Sequence, residues 1–231
     1  MSEQMTLEDK VQRLLDYVEI QNLMGKHMYY HAAGKHREEI EELWVKETPD
    51  PSWSNNNGVW VGIETIKQMY VERFERRCQI QLQKVIEKHP EIENKKENYG
   101  IGALPIRPLT TPVIEIAEDG KTAKGLWYSP GTVFDINDDG EQYTENKWEK
   151  YGVDFAKETD GWKIWHVQMC YDFSVPTEIW KEGVPSLACC SDIVPQRPPK
   201  FHYKEISLTT VPQIMPEIPQ KYGAFSEVDA Y

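Results

Sequence analysis

The sequence predicts an α+β fold, with helices packed on one face of an antiparallel sheet. Two observations carry this. Residues 5–88 repeat their apolar positions at helical spacing, and residues 108–173 alternate in short runs separated by Asp-Gly pairs. Helices first and a strand meander afterwards is the order expected of segregated layers rather than of βαβ units. A third zone, 174–231, holds eight of the fifteen prolines and is set apart as an extended arm behind a core domain at 1–173.

Each element can be justified in turn. Leu7, Val11, Leu14, Leu15, Val18, Leu23 and Met24 mark the first helix. Thr6 with Asp9 three residues on resembles a capping box at its start, and Gly34 is its stop. A second helix is expected over 36–46 with Ile40, Leu43 and Trp44 inward. Pro49 to Gly58 breaks the chain as a loop containing Trp53 and Asn55. A third helix is expected from Ile63 to Lys88, with Ile66, Met69, Tyr70, Phe74 and Ile80 inward. His89-Pro90 ends it, because a residue before proline is pushed out of helical geometry. Asp119-Gly120 and Asp160-Gly161 then read as hairpin turns, with Asp139-Gly140 in a more polar stretch. The arm keeps Trp180, Phe201, Tyr203, Ile206, Leu208, Ile214 and Ile218, which a free linker would not need. It is expected to pack on the body or on a neighbouring subunit.

At 231 residues and 27.0 kDa the chain is long enough for a core and a pocket. Eight Trp and twelve Tyr argue for a folded chain despite a mean hydropathy of −0.65. The net charge is −12, and no run of basic residues is longer than a pair such as Arg76-Arg77. Nucleic acid and anionic membranes are therefore not expected partners. No stretch approaches the apolar length of a membrane span, and the N-terminus lacks the pattern of a secretion signal. Cys78, Cys170, Cys189 and Cys190 form no CxxC pair, so reduced thiols in a cytoplasmic protein are expected.

A two-residue turn at Asp160-Gly161 predicts a register in which Glu158 faces Lys163, Phe155 faces His166, Val153 faces Gln168 and Tyr151 faces Cys170. Cross-strand partners share a face. His166 and Gln168 would then converge with Tyr151 and Phe155 on the apolar, helix-covered face, while Trp165, Val167 and Met169 face outward. Polar groups in an apolar wall suit a ligand pocket; a core histidine satisfied by one hydrogen bond is the plainer alternative. On the first helix His27 and His31 stand four apart, with Tyr30 near the same side. Imidazoles and a phenol supply acid–base groups near neutral pH. The pair also suits metal ligation, but His-Met-Tyr-Tyr-His lacks the Glu of a zincin and no third ligand stands at a nearby offset. No metal is expected.

Glu19-Ile20, then Tyr29-Tyr30-His31-Ala-Ala-Gly34 and Glu41-Glu42-Leu43-Trp44, resemble the opening helices of the SnoaL-like group of the nuclear transport factor 2-like superfamily. Gly58-Val-Trp60-Val-Gly62-Ile63-Glu64, Thr111-Pro112-Val113-Ile114-Glu115-Ile116, Tyr151-Gly-Val-Asp154-Phe155 and Gly161-Trp162-Lys163-Ile164-Trp165-His166 extend the resemblance over about 7–173. It implies a cone-shaped barrel, a bent antiparallel sheet wrapped round the helices and open at one end. It also implies cofactor-free acid–base chemistry on a greasy ring compound. Dehydratases of the group use a Tyr and an Asp on the first helix and a His on a strand. The Tyr position falls here on His27, the Asp position on Ala32, and the strand His on the stretch Arg107-Pro108-Leu109.

Three readings of function are open. The first is a lyase or isomerase without cofactor, acting on a steroid, polyketide or other aromatic-type compound. His27 or His31 would be the base, Tyr30 and His166 the donors, and Trp53, Asn55, Tyr151, Phe155 and Gln168 the substrate wall. The second is a binding protein for a small hydrophobic molecule. The third is an assembly protein whose cavity is filled by core side chains. Self-association as a dimer or trimer is expected through the arm.

Overall fold

The computed structural model describes residues 5–177, 193–199 and 216–231. Helix α1 spans Leu7–Ala32 and α2 spans His36–Leu43. A third helix, α3, runs over 63–88 and contains a π turn at Gln68–Glu72. The strands are β1 (Ser52–Asn55), β2 (Gly58–Val61), β3 (Leu104–Ile106), β4 (Thr110–Ile116), β5 (Thr122–Ile136), β6 (Gln142–Glu158) and β7 (Gly161–Pro176). Among the described residues they form one mixed sheet in the order β2-β1-β7-β6-β5-β3, with β4 also paired to β5. The meander β4 to β7 is antiparallel as expected, whereas β1 joins β7 in parallel. The sheet is open and curves round the helices as an α+β cone.

The helix ends obey local chemistry. Thr6 Oγ1 accepts from the Asp9 backbone N–H at 3.1 Å, and Asp9 Oδ2 accepts from the Thr6 N–H at 3.0 Å, completing the capping box. Gly34 takes φ +66 just beyond α1. The second half of α1 buries Ile20, Leu23, Met24 and His27. Its first half leaves Leu7 79% and Leu14 64% exposed. In α3 the expected stripe holds for Ile66 and Met69, but the wider π turn rotates the last four turns of the helix. Cys78, Leu82 and Val85 take the inner face and Ile80 is left outside.

Two expectations are corrected. The segment after α2 is a strand hairpin, β1–β2, rather than a loop; Trp53 pairs with Trp60 across it. The last hairpin turns at Thr159-Asp160, so Glu158 faces Gly161 rather than Lys163. That moves the register by two residues; a bulge between Asp154 and Phe155 moves it back by one, so that Asp154, not Phe155, faces His166. A one-residue slip exchanges the faces of a strand. Val167 and Met169 therefore join Tyr151, Val153 and Phe155 in the core, and His166 and Gln168 lie on the outer face. Gly161 serves a different end: it takes φ +116, and a Cβ there would meet Glu19 Oε1 at 2.5 Å. That carboxylate accepts the Trp162 N–H at 3.0 Å and ties α1 to the hairpin.

The described parts of the arm lie on the chain's own body. Arg197 bridges to Val59, and Glu118 and Asp119 donate to the carbonyls of Tyr222 and Gly223. Trp180, Phe201, Tyr203, Ile206, Leu208, Ile214, Cys189 and Cys190 lie outside the described residues. Cys78 and Cys170 are free and buried. Burial pushes the Cys170 thiol up to about 12, so it carries no nucleophilic role at neutral pH.

Candidate functional site

The turn between α1 and α2 assembles a polar centre. A Cβ at Gly34 would lie 2.8 Å from the Phe74 ring, so only glycine lets the chain reverse this tightly against α3. The reversal aims the first turn of α2 back at the end of α1. Glu39, fully buried, then sits between three imidazoles. Its Oε1 lies 2.9 Å from His27 Nδ1, and its Oε2 lies 3.1 Å from His36 Nδ1 and 3.9 Å from His31 Nδ1. Burial alone would raise the Glu39 pKa. The charge and hydrogen bonds of His27 and His36 outweigh it and hold the carboxyl below its ordinary value. An ionised carboxylate only accepts, so the Nδ1 atoms of His27 and His36 carry the hydrogens. In neutral His27 the lone pair would then sit on Nε2.

His31 differs. It is about one-fifth exposed, and its Nδ1 is buried without a hydrogen-bond partner. Burial first, then the charges of Arg107, His36 and His27, hold its pKa well below the ordinary histidine value. It is a neutral imidazole at neutral pH.

The facing strands carry the other half. Arg107 Nη1 donates to Glu149 Oε1 at 3.2 Å, and the Tyr151 hydroxyl donates to Glu149 Oε2 at 3.2 Å. Glu149 is fully buried. Burial works against the Arg107 charge, but Glu149, then Tyr151 and Tyr171, raise its pKa further, so the guanidinium is a permanent cation. Tyr151 links the halves: its ring stands edge-on to His27 with centroids 6.1 Å apart. Tyr70 of α3 stands 5.8 Å from His31, 6.4 Å from Trp44 and 6.5 Å from Trp53, ring to ring. Arg107 Nε, Trp44 Nε1, Trp53 Nε1 and Asn55 Nδ2 are buried donors without a partner. Such groups are rare in folded proteins and call for an acceptor.

The expected site residues are thus divided. His27, His31 and Tyr151 come together. Trp53 is buried near them through Tyr70, and Asn55 is buried at the end of β1, its Oδ1 accepting the Asn57 N–H at 2.8 Å. Phe155 packs against Trp127 in the core. The Tyr30 hydroxyl is bound to Glu42, away from Glu39. His166 bonds Asp154 on the outer face, and Gln168 accepts from Ser54 Oγ at 2.7 Å on the same face. Neither reaches the polar centre. Reasoning from the sequence missed His36, Glu39, Arg107 and Glu149. The spacing His36-x-x-Glu39 after the His27/His31 pair was a usable signal for two of them.

Cavities border the cone among the described residues. One of about 220 Å³ is lined by Gly34, His36, Val71 and Phe74, against the polar centre. A groove of about 800 Å³ lies between α3 and the β5–β6 end, lined by Arg73, Arg77, Ile80, Lys84, Ile136 and Tyr143. No histidine lines the larger one.

A curved sheet wrapped round helices as an α+β cone is the fold of the nuclear transport factor 2-like class. Within it, the chain belongs to the SnoaL-like domain family, whose model matches residues 12–168. No curated protein matches the sequence. Among solved structures, a scytalone dehydratase-like protein from Novosphingobium aromaticivorans is similar at 11% identity. The match covers 84% of this chain and 99% of that one, with a TM-score of 0.55. Hexachlorocyclohexane dehydrochlorinase LinA-type3 from Novosphingobium barchaimii is similar at 12% identity over 78% and 99% of the two chains, with a TM-score of 0.51. An NTF2-like protein with a cystatin-like fold, also from Novosphingobium aromaticivorans, is similar at 16% identity over 74% and 91%, with a TM-score of 0.46. At these identities the likeness is one of fold. No helix among the described residues is long and apolar enough to cross a membrane.

Proposed function

We propose that the protein is an acid–base lyase or isomerase acting on a small, largely apolar ring compound. The observation that carries this reading is the buried His27–Glu39 pair set against Arg107. Glu39 fixes the His27 tautomer and stabilises the imidazolium that forms when Nε2 takes a proton. Arg107, a fixed cation beside Tyr151, offsets the negative charge that develops on a substrate oxygen or leaving group. The unpartnered donors of Arg107, Trp44 and Trp53 favour a substrate bearing a carbonyl or phenolic oxygen. The dehydratase-like and dehydrochlorinase neighbours catalyse eliminations by name, which agrees with proton abstraction as the shared step.

The reading is tested by a thermal-shift screen of steroids, bile acids and aromatic polyketides, followed by incubation of each stabilising compound in D2O. Bound ligand raises the melting temperature by mass action. Deuterium incorporation or loss of a small molecule, absent in His27→Gln, is the expected result. Stabilisation without any exchange would leave a binding protein. Dense packing of Trp44, Trp53 and Trp60, each essentially buried, favours a filled interior as the second reading. A screen with no stabilising compound would support it.

A further inference from the structure

The same turn that brings Glu39 to His27 gathers a second constellation. His31, His36 and Glu39 follow one another as His-x4-His-x2-Glu across the α1–α2 reversal. One ligand-type atom from each lies within 4.8 Å of the others. We propose that His31 Nδ1, His36 Nδ1 and Glu39 Oε2 form a binding site for one divalent first-row transition-metal ion, with zinc as the type case.

The two distances from Glu39 fit an ion. Bonds from zinc to imidazole nitrogen or carboxylate oxygen are about 2.0–2.2 Å, so two ligand atoms on one ion stand about 3–4 Å apart. Glu39 Oε2 is 3.1 Å from His36 Nδ1 and 3.9 Å from His31 Nδ1. One atom of the three also lacks a partner. His31 Nδ1 is buried and accepts or donates nothing, though it points at this group. An ion between the three groups supplies its partner. The surround is braced as well. Metal-ligating groups are held by outer partners; here His27 Nδ1 holds the other oxygen of Glu39 at 2.9 Å. Phe74 and Tyr70 hold the His36 ring edge-on at 4.5 Å and 5.6 Å between centroids.

The donor set selects the ion. Two imidazoles and one carboxylate suit zinc, iron(II), cobalt(II) or nickel(II); they lack the thiolates of a copper(I) site and the oxygen count of a calcium site. Three protein ligands leave an open position, the arrangement of a catalytic rather than a structural ion. His31, one-fifth exposed, is the ligand on the solvent side, and the 220 Å³ cavity borders His36. Arg107, whose charge acts on His31, is already paired with Glu149. On ion binding His36 would present a bare Nδ1, with its hydrogen carried on Nε2 as a neutral imidazole. The site stands on this geometry and not on the lyase reading. It departs from the cofactor-free chemistry that the family resemblance implies.

The test uses the full chain, stripped by chelator and titrated with cobalt(II) and with zinc. One ion per chain, a visible d–d absorption for cobalt and a rise in melting temperature are expected. Glu39→Gln removes a fully buried charge and risks the fold, so His31→Ala, at the partly exposed ligand, is the decisive variant. It should weaken zinc by more than about 100-fold, beyond the 10–100-fold typical of losing an outer partner. His89→Ala, in the exposed pair with Glu91, should leave binding unchanged. Absence of a cobalt spectrum in a folded chain, or equal zinc affinity in His31→Ala and the parent, would overturn the site. Turnover by a chain that binds no ion would overturn it too, while leaving His27 as the base.

Discussion

His27 Nδ1 and Glu39 Oε1 lie 2.9 Å apart with both side chains essentially out of water. The pair joins residues from two helices across one glycine turn, and it does two things at once. It keeps a buried carboxylate partnered, and it fixes which imidazole nitrogen is free. Separating these roles gives the first prediction. His27→Gln keeps an N–H for Glu39 but has no base. Turnover should fall about 10²–10⁴-fold, the usual contribution of a general base, with a melting temperature near that of the parent. His27→Ala should lose both. Equal turnover in parent and His27→Gln would remove His27 from the chemistry.

Arg107 and Glu149 are a buried pair of the other kind. Glu149 is fully buried and Arg107 is its charge partner, so Arg107→Met strands a carboxylate beside the Tyr151 hydroxyl alone. Breaking such a pair costs about 3–5 kcal/mol, whereas replacing both partners by apolar groups is often neutral. Arg107→Met should therefore unfold at clearly lower denaturant than the double variant Arg107→Met/Glu149→Met. Neither should turn over substrate. Urea midpoints in the reverse order would show that the pair is not buried as described.

What the sequence disclosed was local. The Thr6–Asp9 capping box and the His89-Pro90 stop depend on residues a few positions apart, and both helix ends were legible. The meander was legible from Asp-Gly pairs and alternation. The bulge at Asp154–Phe155 was not, because no turn residue or break in alternation marks it. Gly161 looked like a turn residue, but its freedom serves the approach of Glu19, which no local pattern reveals. Glu39 stands in the run Glu38-Glu39-Ile40-Glu41-Glu42, which reads as a solvated face. Only the reversal at Gly34 decides which of these carboxylates turns inward. Arg107 was marked solely as the place where a family histidine would stand.

His31 makes the stability depend on pH. In the unfolded chain it takes up a proton near 6.5, while in the fold its pKa is held well below that. Below about pH 6.5 the unfolded state therefore binds more protons, and stability falls as pH falls. The slope from this one group is at most about 1.4 kcal/mol per pH unit, ending at the folded pKa. Glu39, whose pKa is lowered, acts only further down, below about pH 4.3. His31→Asn should flatten the curve between pH 6.5 and 5 and leave the steeper loss at lower pH. A parent whose urea midpoint is constant between pH 7 and 5 would contradict the neutral His31.

His166 belongs to a different structure, and its variant separates the two faces of the sheet. Asp154 is fully buried and receives three donors: Lys124 Nζ at 2.9 Å, His166 Nδ1 at 2.9 Å and the Tyr231 backbone N–H at 2.8 Å. Around them Trp165 stacks on His166 and meets Phe225, with 4.3 Å between centroids in each case, and Lys124 lies 4.9 Å from the Tyr231 ring centre. This group fastens residues 216–231 to the outside of β5, β6 and β7. Loss of one donor to a buried carboxylate costs about 1–3 kcal/mol, while loss of the carboxylate breaks its buried ion pair with Lys124 and costs about 3–5 kcal/mol. His166→Ala should accordingly keep turnover within about twofold of the parent, and Asp154→Ala should be the less stable of the two. Amide exchange in 216–231 should speed up in both, and more in Asp154→Ala, because the clasp opens before the cone does. A His166→Ala protein with intact protection there and lost turnover would put His166 back in the interior and reverse the register of β7.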